Sequence, residues 1–181
     1  MKFLYGDYMH ILLIISGSVA AYKAAELARL ATKQGHVVTA ILTRGGEKFI
    51  TPLQISSLTG QQTYTDLFSL TDEVEMGHIE LSRVADVVLV APASADIIAK
   101  MAHGIADDLA TTCLLASNKP IFVAPAMNAE MWKKPATQRN ILQLENDGVT
   151  VIDPTEGELA CGEVGVGKMA EVEDILAAIT V

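Results

Sequence analysis

A lone thiol, Cys161, sits inside the glycine-rich stretch Leu159-Ala160-Cys161-Gly162-Glu163-Val164-Gly165-Val166-Gly167-Lys168-Met169. Glycines at 162, 165 and 167 let such a backbone fold back on itself and approach a ligand closely. The other cysteine, Cys113, lies far away in the apolar run 109–116, where it reads as buried helix filling. Neither a local disulfide nor a metal site accounts for Cys161, and no Cys/His spacing suggests zinc, so no metal is expected. The stretch reads as a flap carrying one reactive group.

Four further segments carry groups suited to chemistry. His78, in Gly77-His78-Ile79-Glu80-Leu81-Ser82 ahead of a short helical stretch that leads into the apolar run at 86–91, could move a proton near neutral pH or be a structural histidine. Asn128, in Pro125-Ala126-Met127-Asn128, offers donors and acceptors without charge, beside a soft apolar wall of Met127, Met131 and Trp132 that suits a core equally well. In Ser16-Gly17-Ser18-Val19-Ala20, Gly17 allows a tight turn and Ser18 can cap a helix while neighbouring N–H groups face a phosphate. An ordinary strand-to-helix turn explains that segment equally well. Ala91-Pro92-Ala93-Ser94-Ala95 permits close approach by a flat ring or a phosphate, or simple capping by Ser94. None of these completes a Gly-x-Gly-x-x-Gly or Gly-Lys-Ser/Thr motif. The segment Leu42-Thr43-Arg44-Gly45 lacks the carboxylate that a nicotinamide dinucleotide's ribose wants; Arg44 suits a phosphate or a solvated surface.

Positioning these groups requires a regular frame. Apolar runs at 10–15, 37–43, 86–91, 121–124 and 149–152 read as buried strands, with 62–65 as a weaker edge strand. Segments 20–33, 52–58, 95–103, 107–115, 137–145 and 170–179 suit helices, with Gly35 and Gly148 as helix-ending glycines. This alternation predicts an α/β fold: a three-layer, doubly wound, Rossmann-like six-stranded parallel sheet with ligands above the carboxyl ends of its strands. Residues 1–9 read as an N-terminal extension and 10–181 as a single domain.

The 181 residues carry 13 basic and 22 acidic side chains, a net charge of −9, and half are hydrophobic. An acidic chain argues against nucleic acid and anionic membrane as partners. Its longest early apolar run is too short for a membrane span, no secretory signal is evident, and two cysteines in unrelated contexts fit a reduced cytoplasmic setting.

Taken in order, Gly17–Lys23, His78–Ser82, Ala91–Ala95, Gly104-Ile105-Ala106-Asp107-Asp108-Leu109, Pro125–Asn128 with Met131-Trp132, and Ala160-Cys161-Gly162 resemble the homo-oligomeric flavin-containing cysteine decarboxylases, from about residue 10 to the end of the chain. The resemblance implies a flavoprotein enzyme holding FMN through Gly17, Ser18, Val19, Ala20, Thr43, Ser94 and Ala95, with Met127 near the ring. It implies His78 as the base, Cys161 as the acid on the flap, and Asn128 with Met131 at the substrate, Asn128 gripping its carboxylate. Within the family it points to members acting on 4′-phosphopantothenoylcysteine in coenzyme A biosynthesis. Those oxidise the cysteinyl thiol transiently, lose carbon dioxide, and reduce the resulting enethiol to 4′-phosphopantetheine. A homotrimer, or a dodecamer built of trimers, is implied as well. Peptidyl-cysteine oxidative decarboxylases stop at the enethiol and lack the Ala-Cys-Gly flap. A flavin prenyltransferase would not be expected to combine Pro-Ala-Met-Asn with that flap, and non-catalytic regulatory relatives tend to carry acidic tails. Some bacterial members carry a C-terminal ligase domain as well.

Overall fold

The computed structural model describes residues 8–66, 77–160 and 162–180. Its main sheet is built from β1 (His10–Ile15), β2 (Val37–Leu42), β3 (Thr63–Tyr64), β4 (Val87–Ala93), β5 (Ile121–Pro125) and β6 (Thr150–Val151). All pairings are parallel, in the order β3-β2-β1-β4-β5-β6. The helices are α1 (Ala21–Lys33), α2 (Pro52–Thr59), α3 (Gly77–Val84), α4 (Ala95–Ala102), α5 (Leu109–Ala116), α6 (Ala129–Lys133), α7 (Pro135–Asn146) and α8 (Val172–Ile179). A short 3₁₀ turn covers Gly46–Lys48, and β7 (Thr155–Glu158) pairs antiparallel with β8 (Val164–Lys168) in a separate hairpin. The expected doubly wound fold is observed.

Alternation along β1 explains why its run is apolar throughout. Ile11, Leu13 and Ile15 pack on one face with the alanine stripe of α1 (Ala21, Ala24, Ala28, Ala31) and with Ile175 and Leu176 of α8. Leu12 and Ile14 face the other way, among Ile97 and Ile98 of α4, Cys113 and Leu114 of α5, and Ile141 and Leu144 of α7. A strand buried on both faces has no polar positions to spare. The small side chains of α1 let it lie close to the sheet, which brings its N-terminus onto the carboxyl end of β1.

Several boundaries move for identifiable reasons. α5 starts at Leu109 because Asp108 is its N-cap, accepting from Thr111 N at 2.8 Å, and α7 starts at Pro135 because proline suits a first helical position. Ser18 is not the N-cap of α1: that position is Ala20, and the Ser18 hydroxyl accepts from Ala20 N (3.2 Å) in the turn before it. Ser94 does cap α4. Gly35 and Gly148 have φ of 97° and 89°, the left-handed backbone that ends a helix. The 6-residue β1 and the two-residue edge strand β3 lie where the sequence puts them, whereas β6 is shorter than expected.

Two elements are absent from the sequence reading. α6 immediately follows Asn128, and the glycine-rich stretch is organised as the β7–β8 hairpin. Cys161 itself, and residues 1–7 of the expected extension, lie outside the described residues. Among the described residues no helix is long and apolar enough to cross a membrane.

Candidate active site

Sheet order places β1 and β4 side by side, so the chain leaves them in opposite directions and opens a crevice at their carboxyl ends. Ser16 knits that crevice together. Its hydroxyl, 2 % exposed, donates to the Pro92 carbonyl (2.7 Å) and accepts from Ser94 N (2.8 Å). The β1–α1 and β4–α4 loops are thereby held as one surface. On the other side, Thr43 N donates to Ile15 O (3.0 Å), and the Thr43 hydroxyl accepts from Gly46 N (3.1 Å), shaping the turn after β2.

Glycines let three backbones meet here. A Cβ on Gly17 would lie 3.1 Å from Gly45 Cα, and one on Gly46 would lie 2.3 Å from Ile15 O. Among the described residues, no acceptor takes the N–H groups of Gly17, Ser18 or Val19, which gather at the start of α1. Free N–H groups at a helix N-terminus attract an anion.

Two cavities share this edge. One, of about 380 Å³, is lined by Gly17, Thr43, Arg44, Ser94, Ala95 and Met131 among others. The second, of about 500 Å³, is lined by Ser18, Val19, Ala20, Met127, Asn128 and the hairpin residues Glu158 to Ala160. Consecutive residues Gly17 and Ser18 face different cavities, so the β1–α1 loop divides them. The residues expected around a flavin are thus brought together at one crevice. Met131, expected beside the substrate with Asn128, lines the Gly17–Ser94 cavity.

Asn128 is oriented by the helix it caps. Its Oδ1 accepts from Glu130 N (2.8 Å) and Met131 N (3.3 Å), the first amides of α6. With the oxygen fixed there, Nδ2 is fixed outward, and it donates to Glu163 Oε2 of the hairpin. The hairpin lies flush on this loop: Met127 N donates to Gly167 O (3.0 Å), and a Cβ on Gly167 would lie 2.3 Å from Met127 O. Only glycine permits that approach, at a φ of 153°.

Charges around the cavities are largely paired. Lys23, 6 % exposed, donates to Met169 O (3.1 Å) and Glu171 Oε2 (2.8 Å). Hydrogen bonds from Lys23 and Lys168 hold the Glu171 carboxyl below its ordinary range. Lys100 reaches Asp107 (3.1 Å) and Asp96 (3.5 Å), and the Asp107 bond raises its amine above the ordinary value. Burial, and then the charge of Asp108, push the Cys113 thiol up to about 12, so it stays a protonated core group. His78 lies in the first turn of α3, not ahead of that helix, and α3 packs on α5 and β1. Its side chain, like Cys161, is outside the described residues. Ser16, Lys23 and Glu163 are the site residues that the sequence reading gave no role. The only sequence signal for them is a polar side chain beside a glycine or within a helix's buried face.

Residues 6–181 match the family described as Flavoprotein. The Haemophilus influenzae coenzyme A biosynthesis bifunctional protein CoaBC is 43 % identical over 171 residues, 94 % of this chain and 43 % of that protein. The chain therefore spans about two-fifths of the length of such bifunctional relatives. The Streptococcus mutans protein named Probable phosphopantothenoylcysteine decarboxylase is 42 % identical, over 92 % of this chain and 94 % of that one. Among solved structures, a cysteine-to-serine variant of a phosphopantothenoylcysteine decarboxylase, complexed with pantothenoylaminoethenethiol, superposes with a TM-score of 0.87 at 38 % identity, covering 95 % of this chain and 96 % of that one. The FMN-binding protein AtHal3 gives a TM-score of 0.83 at 39 % identity, with 94 % of each chain covered.

Proposed function

The chain belongs to the flavoprotein family, and we propose from that premise that it binds FMN and decarboxylates 4′-phosphopantothenoylcysteine to 4′-phosphopantetheine, a step of coenzyme A biosynthesis. The observation that carries the reading is the pairing of two features at one crevice. The N–H groups of Gly17, Ser18 and Val19 beside the Ser94 loop suit a flavin phosphate, and the Asn128 amide is held with its donor outward, where it already engages a carboxylate. The close glycine backbones at 17, 45 and 46 supply a cradle that side chains would fill.

FMN, when bound, supplies a two-electron acceptor and donor, which gives a cysteinyl carboxylate the electron sink it otherwise lacks. The chain's own residues do the rest. Asn128 Nδ2 donates to the substrate carboxylate, orienting the bond to be broken without adding a cation that would over-stabilise the bound anion. His78 removes a proton as the thiol carbon is oxidised. Cys161, between Ala160 and Gly162 in the sequence, delivers a proton to carbon after carbon dioxide has left. Cys113 is no alternative acid, being buried in the core with its thiol pushed up to about 12. The reading takes 10–181 as one FMN-binding domain and includes assembly into trimers, for which exposed Val84, Ile105 and Leu115 offer apolar surface.

The test is anaerobic incubation of FMN-loaded protein with 4′-phosphopantothenoylcysteine, following carbon dioxide and 4′-phosphopantetheine together. Both should appear in equal amounts. Absence of carbon dioxide overturns the reading. Carbon dioxide with accumulating enethiol would make the protein an oxidative cysteine decarboxylase instead.

A further inference from the structure

The lysines around the crevice already have carboxylates: Lys23 and Lys168 share Glu171, and Lys100 holds Asp107 and Asp96. Arg44 differs. It is exposed, it lines the cavity of about 380 Å³ with Gly17 and Ser94, and among the described residues no carboxylate lies within ion-pair distance of it. We propose that Arg44 is the cofactor-specificity residue of this site. Its guanidinium takes the terminal phosphate of FMN, selecting a flavin that ends in a phosphate monoester over riboflavin, which has none, and over FAD, whose first phosphate leads on to a second. This rests on the reading that the crevice holds FMN with its phosphate at the start of α1.

Two observations point the guanidinium there. The first is that its root is fixed. Thr43 N donates to Ile15 O (3.0 Å), and the Thr43 hydroxyl accepts from Gly46 N (3.1 Å). A Cβ on Gly45 would lie 3.1 Å from Gly17 Cα. Arg44 thus stands between two residues clamped against the loop whose Gly17, Ser18 and Val19 N–H groups suit an anion. A long side chain on that root reaches the same anion as those amides, and its planar fork matches two phosphate oxygens at once.

The second observation is what Arg44 leaves alone. It also lines a neighbouring cavity of about 520 Å³, together with Glu47, Asp107 and Asp108. An idle surface guanidinium beside three carboxylates would pair with one of them. Two of them have other work: Lys100 holds Asp107 at 3.1 Å, and Asp108 Oδ1 accepts from Thr111 N (2.8 Å) and the Thr111 hydroxyl (2.6 Å) as the cap of α5. The charge of Arg44 is therefore available to a ligand. The same carboxylates account for the other half of the selectivity. A phosphate monoester carries about 1.5 to 2 negative charges near pH 7 and ends at the guanidinium. In FAD the first phosphate carries less charge, and a second one leading past Arg44 meets the acidic wall. The substrate's phosphate is the same chemistry from another source, but Asn128, which receives that substrate in the proposed reading, lines the other cavity.

The experiment titrates flavin-free wild type, R44Q and R44K with riboflavin, FMN and FAD by flavin fluorescence, and records thermal unfolding without flavin. Wild type should bind FMN about tenfold or more tightly than either riboflavin or FAD. One exposed charge-assisted contact corresponds to about tenfold in Kd, so R44Q should weaken FMN by about that factor and leave riboflavin within about twofold. R44K should recover part of the loss, because it keeps the charge without the fork. Flavin-free R44Q should melt with wild type. A parallel loss of riboflavin affinity, or a lowered Tm, would make Arg44 a support of the turn and overturns the proposal. So does wild-type protein that binds FAD as tightly as FMN. KM for 4′-phosphopantothenoylcysteine is read on FMN-saturated protein. A raised KM in R44Q with FMN affinity intact places Arg44 on the substrate's phosphate, which also overturns it. Wild-type protein that binds no FMN removes the FMN reading and this one with it, whereas normal FMN binding by both wild type and R44Q removes the role of Arg44 alone.

Discussion

Replacing Ser16 with alanine removes one oxygen and should disturb both loops of the crevice. The hydroxyl is 2 % exposed and makes two short bonds, to Pro92 O (2.7 Å) and from Ser94 N (2.8 Å). The two losses are unequal. Pro92 O keeps the Ser16 N–H at 3.3 Å, so it loses one of two donors, costing about 0.5–1.5 kcal/mol. Ser94 N loses its acceptor outright in a part-buried setting beside the cavity, at about 1–3 kcal/mol. Together the cost is about 2–4 kcal/mol, and at roughly 2–4 °C per kcal/mol for a chain of this size, Tm should fall by about 5–15 °C. Because the loosened Ser94 loop must then be re-ordered by the ligand, part of the cost should appear as weaker FMN binding, with about tenfold in Kd for each 1.4 kcal/mol so spent. Thermal unfolding of flavin-free protein and a flavin-fluorescence titration measure the two effects. Ser18→Ala is the control, since that hydroxyl only accepts from Ala20 N two residues on. A Ser16→Ala protein whose Tm stays within about 2 °C of wild type, or matches Ser18→Ala, refutes the assignment of Ser16 as the tie between the loops.

Two further outcomes follow from the geometry. Asp108→Ala removes the capping box of α5, in which Asp108 Oδ1 accepts from Thr111 N (2.8 Å); about 1 kcal/mol should be lost, read as a Tm fall of about 2–4 °C. Glu171, whose carboxyl Lys23 and Lys168 hold below its ordinary range, is ionised in the folded chain at pH values where the unfolded chain binds a proton. Its contribution is present above the unfolded value near 4.5 and is lost as pH falls through the lower folded value, so urea unfolding of wild type should weaken across that acid range more steeply than that of Glu171→Gln. Equal slopes would show that Glu171 contributes nothing pH-dependent.

The frame was legible in the sequence because its strands are apolar on every position and its helices carry their own stops. β1, buried on both faces, leaves nothing for periodicity to confuse, and Gly35 and Gly148 mark where α1 and α7 must end. The loops were legible as far as their capping chemistry: Ser94 is where its residue type says it should be, whereas Ser18 gives the cap position to Ala20 because its own hydroxyl is used inside the turn. What escaped depends on contacts distant in sequence. Ser16 acts on Pro92 and Ser94, Lys23 on Glu171, and Glu163 on Asn128, separations of 76 to 148 residues and, for the last, 35. The hairpin escaped because glycine has low strand propensity, and its strand is made by seating against the Met127–Ala129 loop.

That seating also explains how an acidic chain can serve anionic ligands. Lys23 and Lys168 are committed to Glu171, and Lys100 to Asp96 and Asp107, so the lysines around the crevice bring little uncompensated charge. Under the proposed function, recognition rests on the Arg44 guanidinium lining the Gly17–Ser94 cavity and on neutral donors held in place: the N–H groups at the start of α1, and the Asn128 amide fixed by α6. Neutral donors bind an anion only as well as they are pre-positioned, because there is no long-range attraction to compensate for a misplaced dipole. The tight backbone contacts at Gly17, Gly46 and Gly167 follow from that requirement. A site built on lysines could tolerate looser loops; under the proposed function this one depends on Ser16 and on the N-cap of α6 to hold its donors where the negative charge arrives.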